Sequence, residues 1–183
     1  MPIEYDRLGK PGCSRLGNEG GGKWARMLAA LVSDSHDNLP MIARAVEVCR
    51  RRKAEVLFHA GDFIAPFAAK AWVTFAGPIF AVFGNNDGER AGLRQVLPGV
   101  KKGPHLFRVG DRKVLVSHRE EDVTDALAAR AGLIVVGHTH RRKVETRGGV
   151  LLVNPGEVGA WLTGQGSMAL VDLDSLAVEL VEL

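Results

Sequence analysis

The stretch LAALVSDSH at residues 28–36 joins an apolar run to a polar cluster, and the chain repeats this arrangement twice. VLFHAGD at residues 56–62 and IFAVFGNND at residues 79–87 have the same form. Short apolar runs of this kind are typical of strands that are buried on both faces. Helical patterns lie between them, so the order strand, helix, strand, helix, strand predicts a parallel sheet with right-handed crossovers.

Two helices are predicted between these strands. Asn38 is a suitable N-cap and Pro40 suits the first turn of one helix, which ends in the basic run at residues 50–53. Residues 63–75 are predicted to form the other helix, with a bend at Pro66.

The second half of the chain carries turn residues that are typical of hairpins. Three pairs of short strands flank the dipeptides Gly110-Asp111, Gly148-Gly149 and Asp174-Ser175. A helix is predicted over residues 120–131, and another buried strand over residues 133–136. A half rich in parallel strands and a half rich in hairpins together predict two β-sheets packed face to face, with helices outside.

The composition is that of a globular protein. The chain has 183 residues, of which 46% are hydrophobic and 25% charged, and its net charge is +3. These values exclude a disordered chain and a membrane bundle, and so small a charge does not indicate a nucleic-acid or membrane partner. Two cysteines are too few for a disulfide scaffold. No apolar run reaches the ~18 residues of a membrane span, so a cytoplasmic location is predicted.

Residues 1–26 differ from the rest because they are rich in glycine and show no hydrophobic period. They are predicted to be a flexible Gly-rich tail, or an upstream extension with translation starting at Met27, and residues 27–183 to be a single domain. Five basic residues in this segment outnumber three acidic ones. A basic tail can touch nucleic acid or lipid, although a solvated arm is the simpler interpretation.

Polar residues cluster where the predicted strands end, and this is where open α/β sheets bind ligands. Seven of them are candidate metal ligands: Asp34, His36, Asp62, Asn85, His118, His138 and His140. Oxygen and imidazole donors suit Mn, Fe, Ni, Co or Zn, and they argue against a structural cysteine–zinc site. Seven donors are too many for one ion, but they fit two divalent metal ions that share a carboxylate.

These residues and their spacing resemble the motifs of a known family. The motifs in this chain are Asp34-x-His36, Gly61-Asp62, Gly84-Asn85-x-Asp87, His118 and Gly137-His138-x-His140. They resemble the calcineurin-like metallophosphoesterase superfamily, above all its small bacterial and archaeal phosphodiesterases, and also the phosphoesterase-like subunit of the retromer coat. The resemblance covers residues 27–183 and implies a four-layer α/β/β/α sandwich with two mixed β-sheets.

The resemblance also implies a role for each residue. One metal ion would be held by Asp34, His36 and His140, the other by Asn85, His118 and His138, and Asp62 would bridge them. Attack on phosphorus by a hydroxide that bridges the two ions would follow. The residues expected to act in catalysis are Asp62, Asn85, Asn86, Asp87 and His138, and among them Asp87 would orient rather than ligate.

Two positions depart from the family's pattern. Many members have a histidine where this chain has Asn86, and that histidine helps to protonate the leaving group. An amide cannot donate a proton in this way, which favours substrates with a good leaving group. Arg119 follows His118 where a glycine is frequent, and it either narrows the site or binds phosphate.

The main hypothesis is a metal-dependent phosphodiesterase that hydrolyses a small or generic phosphodiester. The alternative is a weakly active protein-interaction scaffold on the same fold, suggested by Asn86. A nuclease is a third hypothesis, suggested by the basic tail and by the basic run that starts at Arg141. Trp161 is the best candidate for stacking against a substrate, although packing is the more ordinary role of a tryptophan.

Overall fold

The computed structural model describes residues 27–183, so the prediction of a tail over residues 1–26 lies outside the described residues. The elements follow in this order: β1 (Leu28–Val32), α1 (Leu39–Arg52), β2 (Val56–His59), α2 (Pro66–Trp72), β3 (Ile79–Ala81), α3 (Arg90–Val96), β4 (His105–Val109), β5 (Arg112–Val116), α4 (Asp125–Ala128), β6 (Leu133–Val135), β7 (Lys143–Arg147), β8 (Val150–Asn154), β9 (Ser167–Asp172) and β10 (Val178–Glu182). No helix within this part of the chain is both long and apolar enough to cross a membrane.

The strands form two mixed sheets of five strands each. The strand order is β10-β9-β1-β2-β3 in the first sheet and β4-β5-β6-β8-β7 in the second. Strands β1, β2 and β3 run parallel to one another, and so do β5, β6 and β8. The last hairpin returns to the first sheet, where β9 pairs antiparallel with β1.

Alternate residues of each central strand enter different layers, as the two-residue period of a strand requires. In β1, Leu31 belongs to the hydrophobic cluster between the sheets, while Val32 faces the helices. Helices α1, α2 and α3 cover the outer face of the first sheet, and Trp72 is fully buried there. On the outer face of the second sheet, Ile134 packs near Leu127 of α4. The predicted α/β/β/α sandwich is therefore confirmed.

Two helical predictions need correction, and one helix was missed. The helix predicted over 63–75 spans only Pro66–Trp72, because Pro66 starts it instead of bending it. The helix predicted over 120–131 is broken into a 3₁₀ turn and the short α4, which Thr124 caps anew. Helix α3 was not predicted; it is short and contains Gly92, which weakens a helical pattern.

Candidate metal centre

The loops that follow β1 and β2 are bonded to each other through their backbones. The N–H of Asp34 donates to the carbonyl of Gly61 at 3.0 Å, and the N–H of His36 donates to the carbonyl of Asp62 at 3.2 Å. The side chains at the ends of two parallel strands therefore have fixed relative positions. On the second sheet, the N–H of Gly137 donates to the carbonyl of His118 at 3.0 Å, which joins the loops after β5 and β6 in the same way.

Several candidate ligands lie on backbone that non-glycine residues rarely adopt. The angle φ is 53° at Asp34, 42° at His36, 60° at Asp62, 68° at His138 and 59° at His140. Each such residue costs about 1–3 kcal/mol and persists only where surrounding contacts hold it, a condition met most often at functional sites. The strain is thus concentrated in the loops that carry the donors.

The glycines that precede Asp62, Asn85 and His138 have different structural roles. Gly61 has φ of +100° and makes the sharp turn expected from the sequence. Gly84 and Gly137 lie outside the left-handed region and serve another purpose. A Cβ on Gly84 would overlap the carboxylate of Asp62, and one on Gly137 would overlap the side chain of Ser33. These two glycines therefore let a neighbouring loop approach closely.

Asp34, His36 and His140 form the first donor group. Each offers a ligand atom, and these atoms all lie within 4.8 Å of one another. Asp34 Oδ1 is 3.8 Å from His36 Nε2 and 3.4 Å from His140 Nε2. Asp34 Oδ1 and His36 Nε2 are buried without a hydrogen-bond partner in the described part of the chain. Buried polar atoms are costly when unpaired, so this geometry fits a cation held among the three side chains.

Asp34, Asp62 and His118 form the second donor group, with ligand atoms again within 4.8 Å of one another. Asp62 Oδ2 lies 3.5 Å from His118 Nε2 and also 3.5 Å from His36 Nε2, so this oxygen sits between the two groups. Asn85 Oδ1 lies 2.9 Å from His118 Nε2. The ring of His138 is 5.1 Å from that of His118, and the backbone N–H of His138 donates to Asp34 Oδ2.

The hydrogen bonds of His118 indicate what its other ring nitrogen must face. Nδ1 lies 2.9 Å from the carbonyl of Ala60, which can only accept, so Nδ1 carries the proton. In the neutral ring Nε2 then presents a lone pair toward the oxygens of Asp62 and Asn85. A lone pair surrounded by oxygens needs a cation or a second proton, and a metal ion meets that need.

Glu157 is a site residue that the sequence analysis missed. It is fully buried, and its Oε2 lies 2.8 Å from Nδ1 of His140, which leaves Nε2 of that ring facing Asp34. Backbone N–H groups of residues 161–163 also donate to the carboxylate. Its position shortly after β8 was a usable signal, because the other candidate residues also follow strands of the sheets.

Asn86 and Asp87 form hydrogen bonds that connect the loops of the first sheet. Asn86 donates to both oxygens of Asp62, from its backbone N at 2.9 Å and from Nδ2 at 2.8 Å. Asp87 accepts from the backbone N–H groups of Asp62, Ile64 and Gly84 at 3.1, 2.8 and 2.7 Å. This carboxylate therefore fastens the loop after β2 to the loop after β3.

The electrostatics of the centre favour the ionised forms of Asp34 and Glu157. Burial acts to raise the pKa of Asp34, but His36, Ser33 and the nearby imidazoles outweigh it and hold that pKa below its ordinary value. The adjacent Asp34 raises the pKa of His36 in return. For Glu157, burial is again outweighed by the Thr163 N–H and by His140, so its pKa is also lowered. An anionic centre of this kind attracts divalent cations.

Comparisons with known proteins agree on one family. The model of the calcineurin-like phosphoesterase superfamily domain matches residues 27–176. The phosphodiesterase MJ0936 of Methanocaldococcus jannaschii is 32% identical over 156 residues, which cover 81% of this chain and 94% of the relative. The structure of an archaeal phosphodiesterase superposes with a TM-score of 0.77 at 29% identity and covers 86% of this chain and 100% of its own.

A more distant likeness concerns the fold alone. Vps29 from Entamoeba histolytica superposes with a TM-score of 0.62 at 17% identity, covering 86% of this chain and 99% of its own.

Proposed function

Because the chain belongs to the calcineurin-like phosphoesterase superfamily, we propose that this phosphoesterase is a metal-dependent phosphodiesterase acting on a small phosphodiester. The observation that carries the proposal is the convergence of carboxylates and imidazoles at one edge of both sheets, with buried atoms left unpartnered. The 32% identical relative is named a phosphodiesterase, which supports a diester as substrate.

Two divalent metal ions are the proposed cofactors, drawn from Mn, Ni, Fe, Co and Zn. The residues proposed to hold them are Asp34, His36 and His140 for one ion, Asn85, His118 and His138 for the other, and Asp62 for both. When bound, the ions supply a nucleophilic hydroxide at neutral pH and positive charge for the phosphoryl oxygens. The position of Asp62 Oδ2, 3.5 Å from a histidine of each group, supports its shared role.

Asn86 and Asp87 are proposed to position the candidate ligand Asp62, and Asn86 also affects which leaving groups are favoured. Asn86 is proposed to orient Asp62, since it donates to both carboxylate oxygens. The N–H protons of its amide are not acidic enough to be transferred to a departing alkoxide, so diesters with acidic leaving groups should react fastest. Asp87 keeps Asp62 in place through three backbone N–H groups.

The test is hydrolysis of bis(4-nitrophenyl) phosphate and 4-nitrophenyl phosphate by the full chain, metal-stripped and with Mn²⁺, Ni²⁺ or Zn²⁺ added. We expect metal-dependent turnover of both substrates, with the diester preferred. In Asp62→Ala the turnover of both substrates should be lost. Asp111→Ala, which removes an exposed carboxylate at the tip of the β4–β5 hairpin, is the matched control and should keep full activity. Full activity in Asp62→Ala, or no turnover in metal-loaded protein, would contradict the proposal.

The two other hypotheses have less support. A scaffold has no need of so complete a donor set, and the likeness to Vps29 extends to the fold only. A nuclease needs free cations, yet Arg142 pairs with Glu182, and both Lys143 and Arg147 pair with Glu120. Salt-sensitive binding of DNA or RNA would restore the nuclease hypothesis. A cytoplasmic location stays a prediction from the sequence.

A further inference from the structure

An exposed apolar pair lies in the loop after β8. Trp161 and Leu162 leave 64% and 77% of their surfaces open to solvent. Single exposed apolar residues are ordinary in proteins, but two large ones side by side are a candidate contact surface. Their position relative to the metal centre suggests what they contact.

Two hydrogen bonds hold Trp161 against the first donor group. Its indole N–H donates to the carbonyl of His36 at 3.0 Å. Its backbone N–H donates at 3.1 Å to Oε2 of Glu157, the same oxygen that lies 2.8 Å from His140 Nδ1. Both connections lead to candidate ligands of the same ion, so the ring is fixed beside the centre.

The loop that carries the ring is also fastened. The N–H groups of Leu162 and Thr163 donate to the buried Glu157 carboxylate at 3.0 and 2.5 Å. Gly159 lies against the indole, because a Cβ there would sit 3.0 Å from Cδ1 of Trp161. An aromatic surface that is fixed before binding loses little conformational entropy when a flat group stacks on it.

We infer that Trp161 stacks against a planar ester group of the substrate, with Leu162 beside it, so that the protein prefers aryl or nucleoside phosphodiesters to simple alkyl ones. This inference rests on the proposed function and names the substrate class of the same site. An alkyl ester would leave the indole uncovered and gain no stacking contact. Stacking of this kind changes affinity by about fivefold or more.

Binding of two phosphonates to the metal-loaded full chain tests the inference. We expect 4-nitrobenzylphosphonate to bind about five- to tenfold more tightly than methylphosphonate and to quench tryptophan fluorescence as it saturates. In Trp161→Ala the two phosphonates should bind equally. In Trp161→Phe most of the preference should remain, while most of the quenching is lost.

Val73→Ala is the control, because it trims an exposed apolar side chain directly after α2 and should leave the preference unchanged. An unchanged aryl preference in Trp161→Ala, or none in the wild type, overturns the inference. Methylphosphonate binding together with diester hydrolysis would then leave the proposed function standing. Failure of metal-loaded protein both to bind either phosphonate and to hydrolyse the diester overturns both.

Discussion

Both sheets described in residues 27–183 have five strands, but the loops that follow their parallel strands contribute different side chains to the candidate metal centre. The first sheet contributes both aspartates of the donor groups, Asp34 and Asp62, in the loops after β1 and β2. The second contributes imidazoles, from His118 after β5 and from His140 after β6. Only His36 among the grouped residues breaks this division.

The two sheets also differ in the hydrophobic packing on their outer faces. Among residues 27–183, twenty buried hydrophobic residues form the cluster between the first sheet and its helices, whereas four form the cluster on the outer face of the second. Buried carboxylates need a rigid frame of N–H donors, since burial penalises their charge. The comparison teaches that the charged half of the centre is built on the better-packed half of the molecule.

Removing a carboxylate of the first sheet should have the largest effect. Asp62→Ala deletes the oxygen that lies 3.5 Å from a histidine of each donor group, so both ions should be lost. We expect metal content to fall from two equivalents to near zero, and diester hydrolysis to fall by about a thousandfold or more. Elemental analysis and steady-state kinetics measure the two losses. If Asp62→Ala retained two equivalents of metal, the carboxylates of the first sheet would not have the dominant role that this comparison assigns to them.

Removing an imidazole of the second sheet should cost one ion rather than two. His118→Ala and His140→Ala belong to different donor groups, so each should leave about one equivalent of metal and lower activity by about a hundredfold. His105→Ala is the matched control, because this half-buried histidine lies on β4, outside the groups. Loss of both ions in either variant would show that the groups bind as one unit.

Glycine substitutions test how closely the loops of the first sheet pack. Gly84→Ala places a Cβ against the Asp62 carboxylate and should lower the free energy of unfolding by about 1–3 kcal/mol. Gly88→Ala lies a few residues along the same loop, where a Cβ meets nothing within 4 Å, and should be neutral. Urea unfolding of metal-free protein distinguishes the two. Equal stability of both variants would contradict the packing argument.

The smallest effect concerns acid stability. His59 ends β2, is fully buried and stacks on Phe63, and burial lowers its pKa to about 3. Between pH 6.5 and 3 the unfolded chain therefore binds a proton that the folded chain does not. Stability should fall as the pH drops through this range, with a slope of up to about 1.4 kcal/mol per pH unit from this residue.

Urea unfolding of metal-free wild type and His59→Gln at pH 7 and pH 5 measures that slope. The variant should lose less stability between the two pH values, whatever its stability at pH 7. Parallel losses in both proteins would place the acid sensitivity elsewhere than in β2.

Local patterns predicted the features that depend on neighbouring residues. The apolar runs predicted β1, β2 and β3, and the polar residues after them predicted where a site would form. The order of these elements predicted two packed sheets with helices outside, the family resemblance implied the four-layer sandwich, and both are confirmed. Helix α3 and the broken 120–131 segment escaped prediction because tertiary packing and a new N-cap at Thr124 decide them.

Glu157 escaped prediction for a different reason. Its carboxylate matters because the chain returns it to His140, seventeen residues away in sequence, and no local pattern encodes that approach. Local patterns also do not reveal which ion each candidate ligand would bind. The sequence identified the seven candidate ligands, and their sharing between two ions stays a prediction.

The division of donors between the sheets also bears on how long the folded molecule lasts. Asp34, after β1, and His140, after β6, belong to different sheets, and their candidate ligand atoms lie 3.4 Å apart. An ion held between these two residues would cross-link the layers, because the sheets could not separate until it was released. A cross-link that forms only after both sheets are in place would slow unfolding far more than it speeds folding. The lifetime of the protein, and not only its turnover, would then follow the supply of metal.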